Sequence, residues 1–228
     1  MKRFPRPAPR DWIGIALVLA GFILRLRQYL VNRSLWLDEA MLANNILSRD
    51  FAGLFQPLAN DQGAPVGFLL LQKTITLILG DSEYALRLIP FLAGCLSLAL
   101  MFLLTRKVTS PFAGSLALAL FAFSPALIYY ASEVKQYSSD VAIALALILL
   151  FIKYADAKLD VQKAMLLAFT GALATWFSHP ALFVLGGFGL ALFIHTLRAK
   201  DKNKIVTLLL VAAAWGLSLA ALYFVNLR

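Results

Sequence analysis

Long apolar runs separated by short polar clusters set the plan of this chain. Seven such runs cover residues 12–31, 88–105, 112–130, 137–154, 164–177, 180–197 and 205–226. Read as helices at about 1.5 Å per residue, most of them can cross a hydrocarbon core of about 30 Å. The stretch 65–80 is shorter and differently patterned. Leu69, Gln72, Lys73, Thr76 and Gly80 fall near one helical face as a mostly polar stripe, which suits a helix lying at the membrane surface better than a lipid-exposed span. Residues 38–49 predict a short helix outside the membrane, and 51–63 a turn-rich connection.

The charges decide how these runs thread the bilayer. Arg106 and Lys107, then Lys153, Lys158 and Lys163, then Arg198, Lys200, Lys202 and Lys204 form three basic loops. The connections between them, 131–136 and 178–179, hold one Lys and none. If 65–80 stays at the outer surface, all nine of those basic residues join Lys2, Arg3, Arg6 and Arg10 on the cytoplasmic side, as the positive-inside rule requires. If it crosses, the nine face outside. The first arrangement gives an all-α integral membrane protein of about seven transmembrane helices. A basic cytoplasmic tail (1–11) precedes a transmembrane module (12–228), whose long first external loop (32–87) contains juxtamembrane helices. The N-terminus is cytoplasmic, in a multi-pass protein of the cell (inner) membrane. Arg25 and Arg27 near the end of the first run are expected to snorkel to the interface.

Composition agrees. Of 228 residues 61% are hydrophobic and 14% charged, against about 25% charged in soluble domains. The net charge of +9 is accounted for by topology, so no nucleic-acid partner is expected. The first run exceeds signal-peptide length and reads as an uncleaved anchor. The single Cys95 lies in an apolar run and is expected to pack. Gly186-Gly187-x-Gly189 follows no strand, so it is small-residue helix packing rather than a phosphate loop.

This threading gathers at one membrane face the charges that topology does not need: Asp38, Glu39, Lys73, Arg87, Glu133, Lys135, Asp140 and His179. Asp38 and Glu39 adjoin Trp36 in Ser34-Leu35-Trp36-Leu37-Asp38-Glu39-Ala40. As a helix start they are a cap and a dipole partner. As chemistry they offer a general base. A hard divalent metal between them is left open, since two carboxylates are few ligands for one. No cofactor is otherwise indicated. Glu133-Val134-Lys135-Gln136-Tyr137-Ser138-Ser139-Asp140 is a dense polar cluster between two spans. It caps the next helix on one reading and meets an anionic lipid head group on the other, with Asp140 behind Lys135. Tyr137 and Glu133 belong to that cluster. His179 before Pro180 is an ordinary helix start with an interfacial imidazole.

The stretch 34–40 resembles the Asp-Glu motif in the first external loop of GT-C-fold glycosyltransferases that use polyprenyl-phosphate sugars, such as protein O-mannosyltransferases and lipid A aminoarabinose transferases. Residues 64–70, 80–88 and 124–140 resemble, in the same order, the proline-led helix late in that loop, the start of the next span and the second outer connection. The resemblance covers nearly the whole chain. It implies inverting transfer from a polyprenyl-phosphate-linked sugar at the external face to an unidentified acceptor. Asp38 is then the base, with Glu39 orienting the acceptor or sharing a cation. Lys135, five positions before Asp140, faces the donor phosphate, and Arg87 and Lys73 are further phosphate candidates. Where relatives carry a His or Lys near the late-loop proline, this chain has Gly63-Ala64. Relatives are also about twice as long. The chain is thus expected to be an N-terminal catalytic module, with a lipid-binding or assembly subunit, alone or with a partner, and an inactive truncated module as the alternatives.

Overall fold

The computed structural model describes residues 11–155 and 157–227, so the tail expected over residues 1–10 lies outside the described residues. Every regular element among those described is helical. The chain runs through α1 (Asp11–Leu30), α2 (Leu37–Ser48), α3 (Val66–Leu79), α4 (Glu83–Val108), α5 (Pro111–Ala122), α6 (Pro125–Tyr130), α7 (Tyr137–Tyr154), α8 (Val161–Phe177), α9 (Ala181–Arg198) and α10 (Lys202–Leu222). Five helices among the described residues are long and apolar enough to cross a membrane: α1, α4, α7, α9 and α10. The protein is a multi-pass membrane protein.

Local chemistry explains the boundaries. Ser82, Ser110, Asp160 and Asp201 each accept a hydrogen bond from a backbone N–H in the first turn of the helix that follows, satisfying a donor that the helix cannot. Residues 112–130 form no single helix. The run breaks at Phe123–Ser124, because Pro125 has no N–H to continue the ladder and Ser124 caps a new start. The carbonyl of Ala122, orphaned at the end of α5, accepts from Arg25 Nη1 at 3.1 Å, as does Gly21 of α1. Arg25 is only 1% exposed. The expected snorkelling is therefore corrected: the guanidinium is held inside by the Gly21 carbonyl of its own helix and by the Ala122 carbonyl that the α5–α6 break makes available. Arg27 is exposed.

Two separate cores form among the described residues. Inside the bundle, Leu147, Phe151, Leu167, Leu185, Leu192 and Val211 join α7, α8, α9 and α10. Lipid is as apolar as these side chains, so close packing rather than the hydrophobic effect selects their contacts. A second core, of Leu42, Ile46, Leu54, Phe68, Leu69, Leu86 and Val134, joins the 32–87 loop to the start of α4 and the 131–136 connection. Where a Leu or Phe leaves water, its burial contributes about 1.5–3 kcal/mol. The polar stripe of α3 turns towards the protein: Leu69, Gln72 and Thr76 are buried, and Gln72 Nε2 donates to the Leu86 carbonyl at 2.8 Å. Leu71, Leu77, Ile78 and Leu79 point outward.

Gly67 seats α3 on α8. A Cβ there meets the Trp176 carbonyl oxygen at 2.7 Å and the Phe177 ring at 2.8 Å. Gly67→Ala is expected to destabilise the protein by about 1–3 kcal/mol, read as a lower thermal unfolding midpoint in detergent. An unchanged midpoint would show that this contact does not hold the loop down.

Candidate active site

The loop of residues 32–87 and the 131–136 connection meet over the start of α4. Asp38 and Glu39 occupy the second and third positions of α2, two and three places inside the cap position, which Trp36 takes. The expectation that Asp38 caps the helix is corrected accordingly. Successive helical residues project about 100° apart, and the two carboxylates lead separate lives.

Glu39 is fully buried. Its Oε2 is 2.9 Å from Arg33 Nη1 and accepts the Trp36 N–H at 3.0 Å. Its Oε1 accepts from Arg87 Nη2 at 3.3 Å and from the Val134 N–H at 2.9 Å. Arg87 is itself 1% exposed and donates from Nη1 to the Arg33 carbonyl at 2.6 Å. One carboxylate thus ties together the loop before α2, the first turns of α4 and the 131–136 connection. Both of its oxygens are engaged, and Arg87 is spent on them.

Asp38 keeps its side chain 47% exposed. Its Oδ2 lies 2.8 Å from Lys135 Nζ, and its Oδ1 accepts from Gln62 Nε2 at 2.9 Å. Lys135 also donates to Gln62 Oε1 at 2.7 Å. Gln62 therefore bridges both charges. The hydrogen bond from Lys135, then that from Gln62, hold the Asp38 carboxyl below its ordinary value. Among the described residues no three His, Cys, Asp or Glu side chains converge on a metal site. Asp38 and Glu39 are each held by different basic groups.

The remaining candidates separate. Asp140, at the start of α7, is hydrogen-bonded to the Ser178 side chain, while its Oδ1 is buried without a partner; Lys135 turns to Asp38 instead. Lys73 donates to the Ile46 and Leu47 carbonyls at 3.1 Å each and so closes the end of α2. Glu133 is buried beside this cluster with Oε2 unpartnered. Burial, then the Glu39 charge, push its carboxyl upward. His179 is half-buried with Nε2 unpartnered, and burial pushes its imidazole down. The Tyr137 ring packs edge-on to Tyr130 at 4.9 Å. Both line an apolar cavity of about 310 Å³ with Phe121, Leu127 and the buried Arg25.

Sequence reasoning passed over Gln62 and Arg33. Gln62 stands immediately before Gly63, where the resemblance leads one to look for a basic residue. Arg33 is a base on the side that the positive-inside rule leaves poor in them. Against known proteins, residues 63–224 match the family model described as dolichyl-phosphate-mannose-protein mannosyltransferase. No curated protein and no solved structure matches the chain.

Glu39→Gln weakens the fully buried pair with Arg87 and the partly exposed pair with Arg33 at once, and is expected to cost about 3–5 kcal/mol, seen in thermal unfolding. Glu133→Gln should act oppositely. With a folded value raised above 4.5, the penalty for the buried carboxylate is complete above that folded value. It fades as pH falls through it and is gone below the unfolded one. The substitution should raise the unfolding midpoint at pH 8 and leave it unchanged near pH 4. An equal effect at both would show that the buried charge is not the cause.

Proposed function

The chain belongs to the dolichyl-phosphate-mannose-protein mannosyltransferase family, and on that premise we propose that it moves a sugar from a polyprenyl-phosphate donor to an acceptor hydroxyl at the external membrane face. Asp38 is the base. The acceptor oxygen attacks the anomeric carbon from the face opposite the phosphate and gives its proton to Asp38. The bond from that carbon to the phosphate oxygen breaks, the phosphate keeps the electron pair, and the configuration inverts. A phosphodiester leaving group needs little protonation. A single base then suffices where glycosidases use two carboxylates, and positive charge at the departing phosphate is what helps.

The contact of 2.8 Å between Asp38 and Lys135 carries this reading. It sets a half-exposed carboxylate beside an ammonium that can transfer its attention to a donor phosphate. In the resting protein that ammonium depresses the basicity of Asp38. With a phosphate in place the same charge is shared, and Asp38 becomes a better base as the donor arrives. Glu39 is a positioning residue in this scheme, because its oxygens hold α2 against α4 and the 131–136 connection. The apolar cavity beneath Tyr130 and Tyr137 suits the isoprenoid tail.

The contact also supports a threading in which α3 does not cross. Were it to span, the external loop and residues 131–136 would lie on opposite faces, and Asp38 could not touch Lys135. At 14 residues, α3 is about 21 Å long, short for the hydrocarbon core. With α5–α6 and α8 joining the five long helices, the chain spans seven times, with its N-terminus in the cytoplasm. The nine basic residues of the three loops then face the cytoplasm of a cell (inner) membrane protein.

Asp38→Asn should lower transfer from a radiolabelled polyprenyl-phosphate sugar by roughly 10²–10⁴-fold while binding of the lipid is retained. Full activity in that variant would end the assignment of the base.

A further inference from the structure

The outer face holds several cations whose charge is already committed. Arg87 serves Glu39 and the Arg33 carbonyl, Lys73 closes α2, and Lys135 is shared between Asp38 and Gln62. Arg33 differs from these. Its Nη1 is pinned to the buried Glu39 at 2.9 Å, and its guanidinium lies over the Tyr129 ring at 4.6 Å from the centroid. Its Nε and Nη2 are buried, and neither has a partner. These two nitrogens form one edge of the planar group, the edge that takes two oxygens side-on. An ionised donor pair that is buried, oriented from two sides and left unpaired needs an acceptor that arrives from elsewhere.

We propose that the Nε/Nη2 edge of Arg33 is a fork for the phosphate of a polyprenyl-phosphate lipid. The inference rests on the donor class of the proposed function and adds to it the residue that grips the phosphate. Three observations favour a lipid phosphate over a soluble anion. Tyr129, which carries the guanidinium, precedes Tyr130 in α6, and their rings meet at 5.5 Å. Tyr130 lines the apolar cavity of about 310 Å³, so head-group and tail sites are adjoining residues of one short helix. The same cluster holds Glu133, whose Oε2 is buried and unpartnered and can accept a hydroxyl of the sugar attached to that phosphate. Lys135 is then free to share its charge between Asp38 and the departing oxygen, while Arg33 holds the non-bridging oxygens.

The test uses the full chain in lipid nanodiscs and measures binding of polyprenyl phosphate, the matching polyprenol and inorganic phosphate. Arg33→Gln and Arg33→Lys should each weaken polyprenyl phosphate by about tenfold or more, since a hydrogen bond to a charged group is worth that much, and leave polyprenol unchanged. Lysine does not rescue, because an ammonium cannot hold Glu39 and offer a fork. Tyr129→Leu spares the Glu39 pair and removes only the ring beneath the guanidinium. It should weaken the phosphate lipid by a few-fold, which separates grip on the phosphate from damage to the loop. Inorganic phosphate should bind far more weakly than the lipid. Unchanged phosphate-lipid binding in both Arg33 variants would overturn the fork. So would equal loss of phosphate lipid and polyprenol, inorganic phosphate as good a ligand as the lipid, or no binding of polyprenyl phosphate by the wild-type chain. Asp38→Asn, which tests the base, should still bind polyprenyl phosphate in preference to polyprenol. If no sugar is transferred yet binding remains phosphate-selective and Arg33-dependent, the transferase reading fails and the fork stands.

Discussion

Everything around the candidate site leans on one buried carboxylate. Glu39 has no exposed surface, and an ionised carboxylate in such a place is tolerable only when paired and hydrogen-bonded. Two guanidinium groups and two backbone N–H groups meet that need. They come from three stretches: Arg33 and Trp36 from the loop before α2, Arg87 from α4, and Val134 from the 131–136 connection. The burial cost of Glu39 is thereby converted into a constraint on geometry, because the ion pairs are satisfied only when those stretches meet in one arrangement. The apolar cluster of Leu42, Phe68, Leu86 and Val134 around it supplies the free energy.

That constraint is what makes Asp38 usable. One position earlier on the same helix, it points elsewhere, remains half-exposed and meets Lys135 and Gln62. A carboxylate held by an ammonium is a weak base at rest, and it strengthens when a competing anion draws the ammonium away. In the proposed function this couples basicity to occupancy without requiring a large motion. The link from Arg33 to Glu39 orients its guanidinium and leaves Nε and Nη2 without a partner.

Within the bundle, a different rule holds. Lipid offers no hydrophobic drive for helix association and no partner for stray polar atoms. Pro125 breaks the helix, the break frees the Ala122 carbonyl, and that carbonyl takes Arg25. The short α6 left after the break carries Tyr129 beneath Arg33 and Tyr130 beside the cavity. A local defect in one helix thus builds the boundary between the polar site and the apolar hollow.

Much of this was legible in the amino-acid order. Apolar runs and their spacing determine an all-helical membrane protein, and the residues around Pro65 lie inside the stretch, 63–224, that matches the family. The inward stripe of α3 and the short α2 follow from periodicity, which is a local property. Other features were not local. The break at Ser124-Pro125 was written in the sequence, yet hydropathy averages over it. The separate roles of Asp38 and Glu39 depend on which neighbours lie 48 to 97 positions away. The partners that finish the site, Gln62 and Arg33, carry no periodic or spacing signal. A sequence records which residues are present and how they alternate. Which charge is buried, and by whom it is met, is settled only when distant segments are pressed together, because the strength of an ion pair depends on the solvent that packing leaves around it.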